Sequence, residues 1–201
     1  MLRKKLIGVI GAAALLTVWV AGPATAAPGD LQINGGSVAF DPQLPPTISA
    51  FNTITLNGAP QLTSLTIDPF NVINSEGTGA GWNVLLTVPD LVYTHAAPDN
   101  VGGVLVDGDF TIPANTFLMQ APTITPVGTS DATGVAAHAV TAGSSIGTGF
   151  KIADAAAPGV GNPGGMGEFL VSPQPVKVVV PVDARAGLYQ SAATIAVTSG
   201  P

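Results

Sequence analysis

The chain has 201 residues, no cysteine, and six basic against twelve acidic residues, for a formal charge of −6. That charge excludes electrostatic capture of nucleic acid or of an anionic membrane surface. The missing cysteine excludes a disulfide scaffold, a thiol enzyme and a lipid carried on an N-terminal cysteine.

Arg3, Lys4 and Lys5 open the chain, and an apolar stretch over 6–20 follows before Gly22 and Pro23 break it. Ala24-Thr25-Ala26 then places small residues where a signal peptidase cuts, so residues 1–26 read as a signal peptide. The apolar stretch is shorter than the ~20 residues a spanning helix needs, and no membrane contact is expected after cleavage. The remaining 175 residues retain only Lys151, Lys177 and Arg185 against all twelve acids, a formal charge of −9. That length suits one domain with its own core.

Residues 27–50 form a Pro-rich segment with a first strand over 31–40. Leu44-Pro45-Pro46-Thr47 is close to a sortase signal, but Ile48 stands where glycine is required and no hydrophobic tail follows. Any attachment to the cell surface is therefore expected to be non-covalent. The main domain, 51–201, carries no helical periodicity of useful length. Short runs rich in Val, Ile, Thr and Phe recur between Gly, Pro, Asn and Asp clusters, the pattern of an antiparallel all-β domain. Strands are expected over 53–57, 62–68, 81–88, 108–112, 123–127, 166–171, 176–182 and 188–198. Such a series predicts a single antiparallel β-sandwich of the Ig-like, Greek-key type. The Ala-, Gly- and Ser-rich stretch 129–165 predicts long surface loops.

Within this series, Glu76-Gly77-Thr78-Gly79-Ala80-Gly81-Trp82-Asn83-Val84 is the most informative stretch. Its glycines make a turn that accepts positive φ, and a strand follows. Trp82, Val84, Leu86 and Val88 share one face, with Asn83, Leu85 and Thr87 on the other. Trp19 lies in the leader, so Trp82 is the only tryptophan expected in the mature protein, and a core position is its default reading. At the C-terminus, strands 176–182 and 188–198 flank the turn Asp183-Ala184-Arg185-Ala186-Gly187. They read as a terminal hairpin-like unit with Ile195 and Val197 facing the core.

Catalytic patterns are weak. His95 and His138 lie far apart in loop-like settings, and no second His or Cys stands at metal-ligand spacing from either, so both read as solvated surface residues. Gly159-Val160-Gly161-Asn162-Pro163-Gly164 matches the spacing of a dinucleotide loop. It lacks a preceding strand, and Pro163 and the glycines after it do not open a helix, so nucleotide binding is not expected. Asp99, Asp107 and Asp109 have calcium-ligand chemistry, but Asp107-Gly108 before a strand reads as a hairpin turn. No Gly-x-Ser-x-Gly elbow occurs, and no two carboxylates single themselves out for glycoside cleavage. No enzyme activity and no cofactor are expected.

Leu65-Thr66-Ile67-Asp68, Gly79-Ala80-Gly81-Trp82-Asn83-Val84, Ile112-Pro113-Ala114 and Val180-Pro181-Val182-Asp183-Ala184-Arg185-Ala186-Gly187-Leu188-Tyr189 together resemble the WxL-type surface domain of Gram-positive bacteria. The resemblance runs from about Leu56 to the end, and the Ala-rich, Lys-poor composition suits an actinobacterial relative. It departs from the family at both signatures: Val84 stands in place of Leu, and Ile195-Ala196-Val197 occupies the place of the second tryptophan motif. The resemblance implies a secreted β-sandwich held non-covalently on the cell wall, with peptidoglycan or another wall polymer as partner. Adhesion, or contact with other surface proteins by strand-edge pairing, is the alternative it leaves open. The residues it singles out, as wall contacts or as core, are Trp82, Asn83, Val84, Tyr189, Ile195 and Val197.

Overall fold

The computed structural model describes residues 33–94, 110–159 and 164–200. The chain divides into two compact units, Met1–Ile33 and Asn34–Pro201, and the fold below is that of the second. It is an all-β, antiparallel sandwich. Its strands are β1 (Val38–Phe40), β2 (Gln61–Leu65), β3 (Phe70–Asn74), β4 (Trp82–Thr87), β5 (Leu91–Thr94), β6 (Thr111–Ile112) and β7 (Phe117–Leu118). They continue with β8 (Thr123–Val127), β9 (Val135–Ala137), β10 (Phe150–Ala155), β11 (Gly167–Ser172), β12 (Val176–Val180), β13 (Leu188–Gln190) and β14 (Thr194–Ser199).

Two four-stranded sheets, β1-β3-β11-β8 and β14-β4-β10-β9, make the larger part, and two three-stranded sheets, β2-β12-β7 and β13-β5-β6, make the smaller. The registers show how the two parts are related. Leu65 pairs with Val176 and Phe70 with Val171, so β2–β3 and β11–β12 keep one register across the gap, five residues on each side. Leu118 pairs with Lys177 and Thr123 with Ser172, again with equal spacing on both chains. Two long ribbons thus run through both parts and are interrupted at a waist. Pro69, Pro122, Pro173 and Pro175 occupy that waist. A proline has no N–H to give a ladder, so the hydrogen bonding stops there while the chain direction continues.

In the larger part, Phe70, Val72, Phe169 and Val171 on one sheet and Trp82, Val84, Leu86 and Ile152 on the other are all fully buried and belong to one cluster. Val88, Leu91, Phe117, Val176 and Val178 continue this core toward the smaller part. The alternation expected along the Trp82 strand is present, with Trp82, Val84, Leu86 and Val88 at 0 % exposure.

Several expectations are corrected. Strands 176–182 and 188–198 do not pair with one another. β12 lies between β2 and β7, while the last stretch splits into β13 on β5 and β14 on β4. The turn chemistry at 183–187 is local, but the strand partners are chosen by which apolar faces need covering, and those lie about a hundred residues away. Residues 53–57 do not form a strand. The stretch 129–165 is not a surface loop throughout: it contains β9 and the central strand β10. A register shift between Lys151 and Ala153 puts both Ile152 and Ala153 inside, which hides β10 from a period-two reading. Strands β3, β5 and β7 were not expected. Of the described residues in 31–40, Val38–Phe40 form a strand, and of those in 108–112, Thr111–Ile112 do; residues 31, 32, 108 and 109 lie outside the described part. His95, Asp99, Asp107 and Asp109 lie outside the described residues. No helix among the described residues is long and apolar enough to cross a membrane.

Candidate functional site

The two groups of residues singled out from the sequence end up in different places with different chemistry. Trp82 is a core residue. Its ring centroid lies 5.7 Å from that of Phe169, and its Nε1–H donates to the Gly165 carbonyl at 2.9 Å. Gly165 has φ +61, and a Cβ there would overlap the Ala155 methyl and lie 2.8 Å from the indole nitrogen. The indole fits because the chain is stripped to hydrogen on one side and to a methyl on the other. Buried Asn74 also donates to Gly165 O, at 3.2 Å, and its own Oδ1 accepts from the Glu76 N–H at 3.2 Å. The two glycine-rich stretches of the sequence are therefore halves of one tryptophan site. Of the dinucleotide-like pattern, Gly164 and its neighbour Gly165 lie at this site, and residues 160–163 fall outside the described part.

Asn83 is 7 % exposed; its Nδ2 donates to the Gly200 carbonyl, and its Oδ1 has no hydrogen-bond partner among the described residues. Val84 is fully buried and pairs with Val197. Ile195 and Val197 are half-buried and pack on the core from the β14 face, as their alternation predicts. None of these side chains offers a surface contact of any size.

Tyr189 is different. It stands in an open groove of about 670 Å³ between the two sheets of the smaller part. Thr63, Val180, Leu91 and Ile112 form the floor, residues 51–56 one wall, and residues 185–189 the other. The second wall is built on aromatic packing. Tyr93, only 1 % exposed, meets Tyr189 edge-on at 5.5 Å and Phe110 edge-on at 6.2 Å. A side chain on Gly187 would overlap the Tyr93 ring, so the turn lies directly on that ring only because it carries glycine there. The Arg185 N–H donates to Tyr189 Oη at 3.1 Å, and the Arg185 guanidinium sits 4.9 Å over the Phe110 ring. The Arg-Ala-Gly-Leu-Tyr run is thus a small structural unit that holds Arg185 and Tyr189 at the groove.

The first wall is a strand-like segment that leaves its ladder. Main-chain bonds tie Ser49 to Thr66 and Asn52 to Ser64 beside β2, and they stop at Asn52. Beyond it the segment is held by side chains: Thr63 Oγ1 donates to Asn52 O at 2.6 Å and Gln61 Nε2 to Thr55 O at 2.9 Å. Apart from Tyr189, no local pattern marks this groove, because its floor comes from four strands far apart in the chain.

His138 is not a free surface residue. Its Nε2 lies 3.0 Å from Asp154 Oδ1, and Lys151 Nζ lies 3.2 Å from the other oxygen of the same carboxylate. Among the described residues no hydroxyl is hydrogen-bonded to the imidazole, so this is a surface ion-pair cluster without a nucleophile in reach. No group of three metal-ligating side chains occurs among the described residues. Asp131, at the surface, has its carboxyl held below the usual aspartate value by the Thr133 backbone N–H and then by the Thr133 hydroxyl. Comparison with known proteins finds no matching family model, no matching curated protein and no matching solved structure.

Proposed function

We propose that the chain is a secreted, non-catalytic surface protein that binds a cell-wall polymer non-covalently, and that the groove beside Tyr189 is the binding site. The observation that carries this reading is the groove itself: an open, mostly apolar channel with a tyrosine in one wall and hydroxyl and amide side chains in the other. The leader-like N-terminus and the resemblance to wall-bound domains agree with it. Burial of Trp82 moves the contact away from the signature tryptophan and toward Arg185 and Tyr189.

The test is co-sedimentation of the mature protein with isolated peptidoglycan sacculi, together with fractionation of cells that express it. Binding to sacculi, and release of the native protein from washed walls by chaotrope, are expected. Protein found wholly in the culture medium, with sedimentation no greater than that of an unrelated β-sandwich, refutes the reading.

A second reading, assembly by strand-edge pairing with another surface protein, is favoured by one feature. The edge strand β13 borders the groove, and Leu56, Leu62, Val182 and Leu188 are exposed around that end. Concentration-dependent self-association of the mature protein in sedimentation velocity would favour this reading over wall binding.

A further inference from the structure

Resting on the wall-binding reading, we infer that the groove recognises the peptide part of the wall polymer, as a short extended chain carrying a free carboxylate, and not its sugar. Three features of the groove carry this, and each concerns a different part of the ligand.

The first is main-chain hydrogen bonding. β13 is the outer strand of its sheet, so one side of Leu188–Gln190 has no ladder partner among the described residues. Across the groove, residues 53–57 belong to no strand, and the main-chain bonds from this stretch to the β2 side end at Asn52. One wall therefore presents an edge strand to the channel and the other a segment whose main chain is outside any strand. An extended peptide satisfies such walls with its own alternating N–H and C=O groups, whereas a sugar ring has no matching repeat.

The second is the floor. Val180, Leu91 and Ile112 are apolar and Thr63 is committed to the Asn52 carbonyl. A strand placed there sends alternate side chains down onto apolar surface, which suits small alkyl groups such as alanine methyls. Sugar hydroxyls over the same floor would lose water without gaining partners.

The third is charge. The mature chain carries twelve acids and three bases, yet among the described residues no acidic one lines the groove and Arg185 does. Among the described residues no carboxylate lies within salt-bridge distance of Arg185. The guanidinium uses its face on Phe110, and its N–H edge is left for a planar acceptor. In a protein of this net charge, an arginine in a groove with no acid among its described lining residues selects a ligand that brings its own carboxylate.

Soluble probes from sacculi decide the matter: glycopeptides with free carboxylates, the same glycopeptides after carbodiimide amidation, and glycan strands stripped of peptide by an amidase. The mature protein is expected to bind the first, to bind the second at least tenfold more weakly, and not to retain the third. A tenfold loss corresponds to about 1.4 kcal/mol. Arg185→Gln is expected to reproduce the loss on free-carboxylate glycopeptides and to be indifferent to amidation. Because amidation alters only the ligand, its result does not depend on the folding of a variant. Equal binding of stripped glycan, or indifference of the wild type to amidation, overturns the inference while leaving wall binding in place. Failure of intact sacculi to bind overturns the wall reading instead.

Discussion

Truncating Trp82 to alanine tests whether the tryptophan is core or contact. The side chain is fully buried, packs on Phe169 and donates one hydrogen bond to Gly165 O. Removing a buried tryptophan side chain costs about 3–5 kcal/mol, from lost transfer energy and the cavity that remains. The Gly165 carbonyl keeps the Asn74 donor, so no further orphaned-acceptor penalty is expected. For a domain of this size each 1 kcal/mol lowers Tm by roughly 2–4 °C, which places Trp82→Ala on the order of 10 °C or more below wild type. Trp82→Phe keeps most of the packing and loses the N–H, so its cost should be about 1–2 kcal/mol. Urea unfolding followed by circular dichroism gives these values for all three proteins, since the variants have no tryptophan signal. All three proteins are prepared from residue 27 onward, without Trp19, so wild-type emission should be blue-shifted when folded and red-shift on unfolding. A loss under about 1 kcal/mol for Trp82→Ala, with red-shifted emission from the folded wild type, refutes the burial argument and returns Trp82 to the list of surface contacts.

The same site predicts that Gly165→Ala destabilises strongly, because the new methyl overlaps Ala155 and crowds the indole; Gly58→Ala, at φ +78 with nothing within 4 Å, should cost only the backbone strain of about 1–2 kcal/mol. Thermal melts of the two variants side by side check the difference, and equal effects would show that strain alone governs both. Asp131 has a folded pKa below the ordinary 3.8, so it adds stability that is present above that value and is lost as the pH falls below it toward the folded pKa. Asp131→Asn should therefore lie below wild type in stability at pH 7 and approach it as the pH falls below about 3.8, as read from urea midpoints across pH; a difference that does not shrink with falling pH refutes the assignment. From the turn-type sequence at Asp107-Gly108, EDTA is expected to leave Tm unchanged; a fall that calcium reverses would identify Asp99, Asp107 and Asp109 as ligands.

Local sequence determines a good deal of this protein. The glycine turn before Trp82 and the period-two pattern after it place a strand with its buried face correctly, because pattern and turn chemistry act within a few residues. The run Thr123–Val127 coincides with β8, and 166–171 lies within one residue of β11, for the same reason. What lies beyond local reach is pairing. The C-terminal strands look like a hairpin because a turn joins them, yet each finds its partner across the sandwich, where an apolar face stands uncovered. β10 escapes a pattern reading because a bulge and two alanines at the Trp82 face break the alternation that marks a half-buried strand. The prolines of the waist are visible in the sequence only as strand ends. Their shared position, at matching registers of neighbouring strands, appears once the strands are side by side. The groove belongs wholly to that second level: Tyr189 and Arg185 are legible as a motif, but the floor beneath them is assembled from β2, β5, β6 and β12. A sequence pattern records which face of each element must be buried; only the closing of those faces on one another decides which is left open.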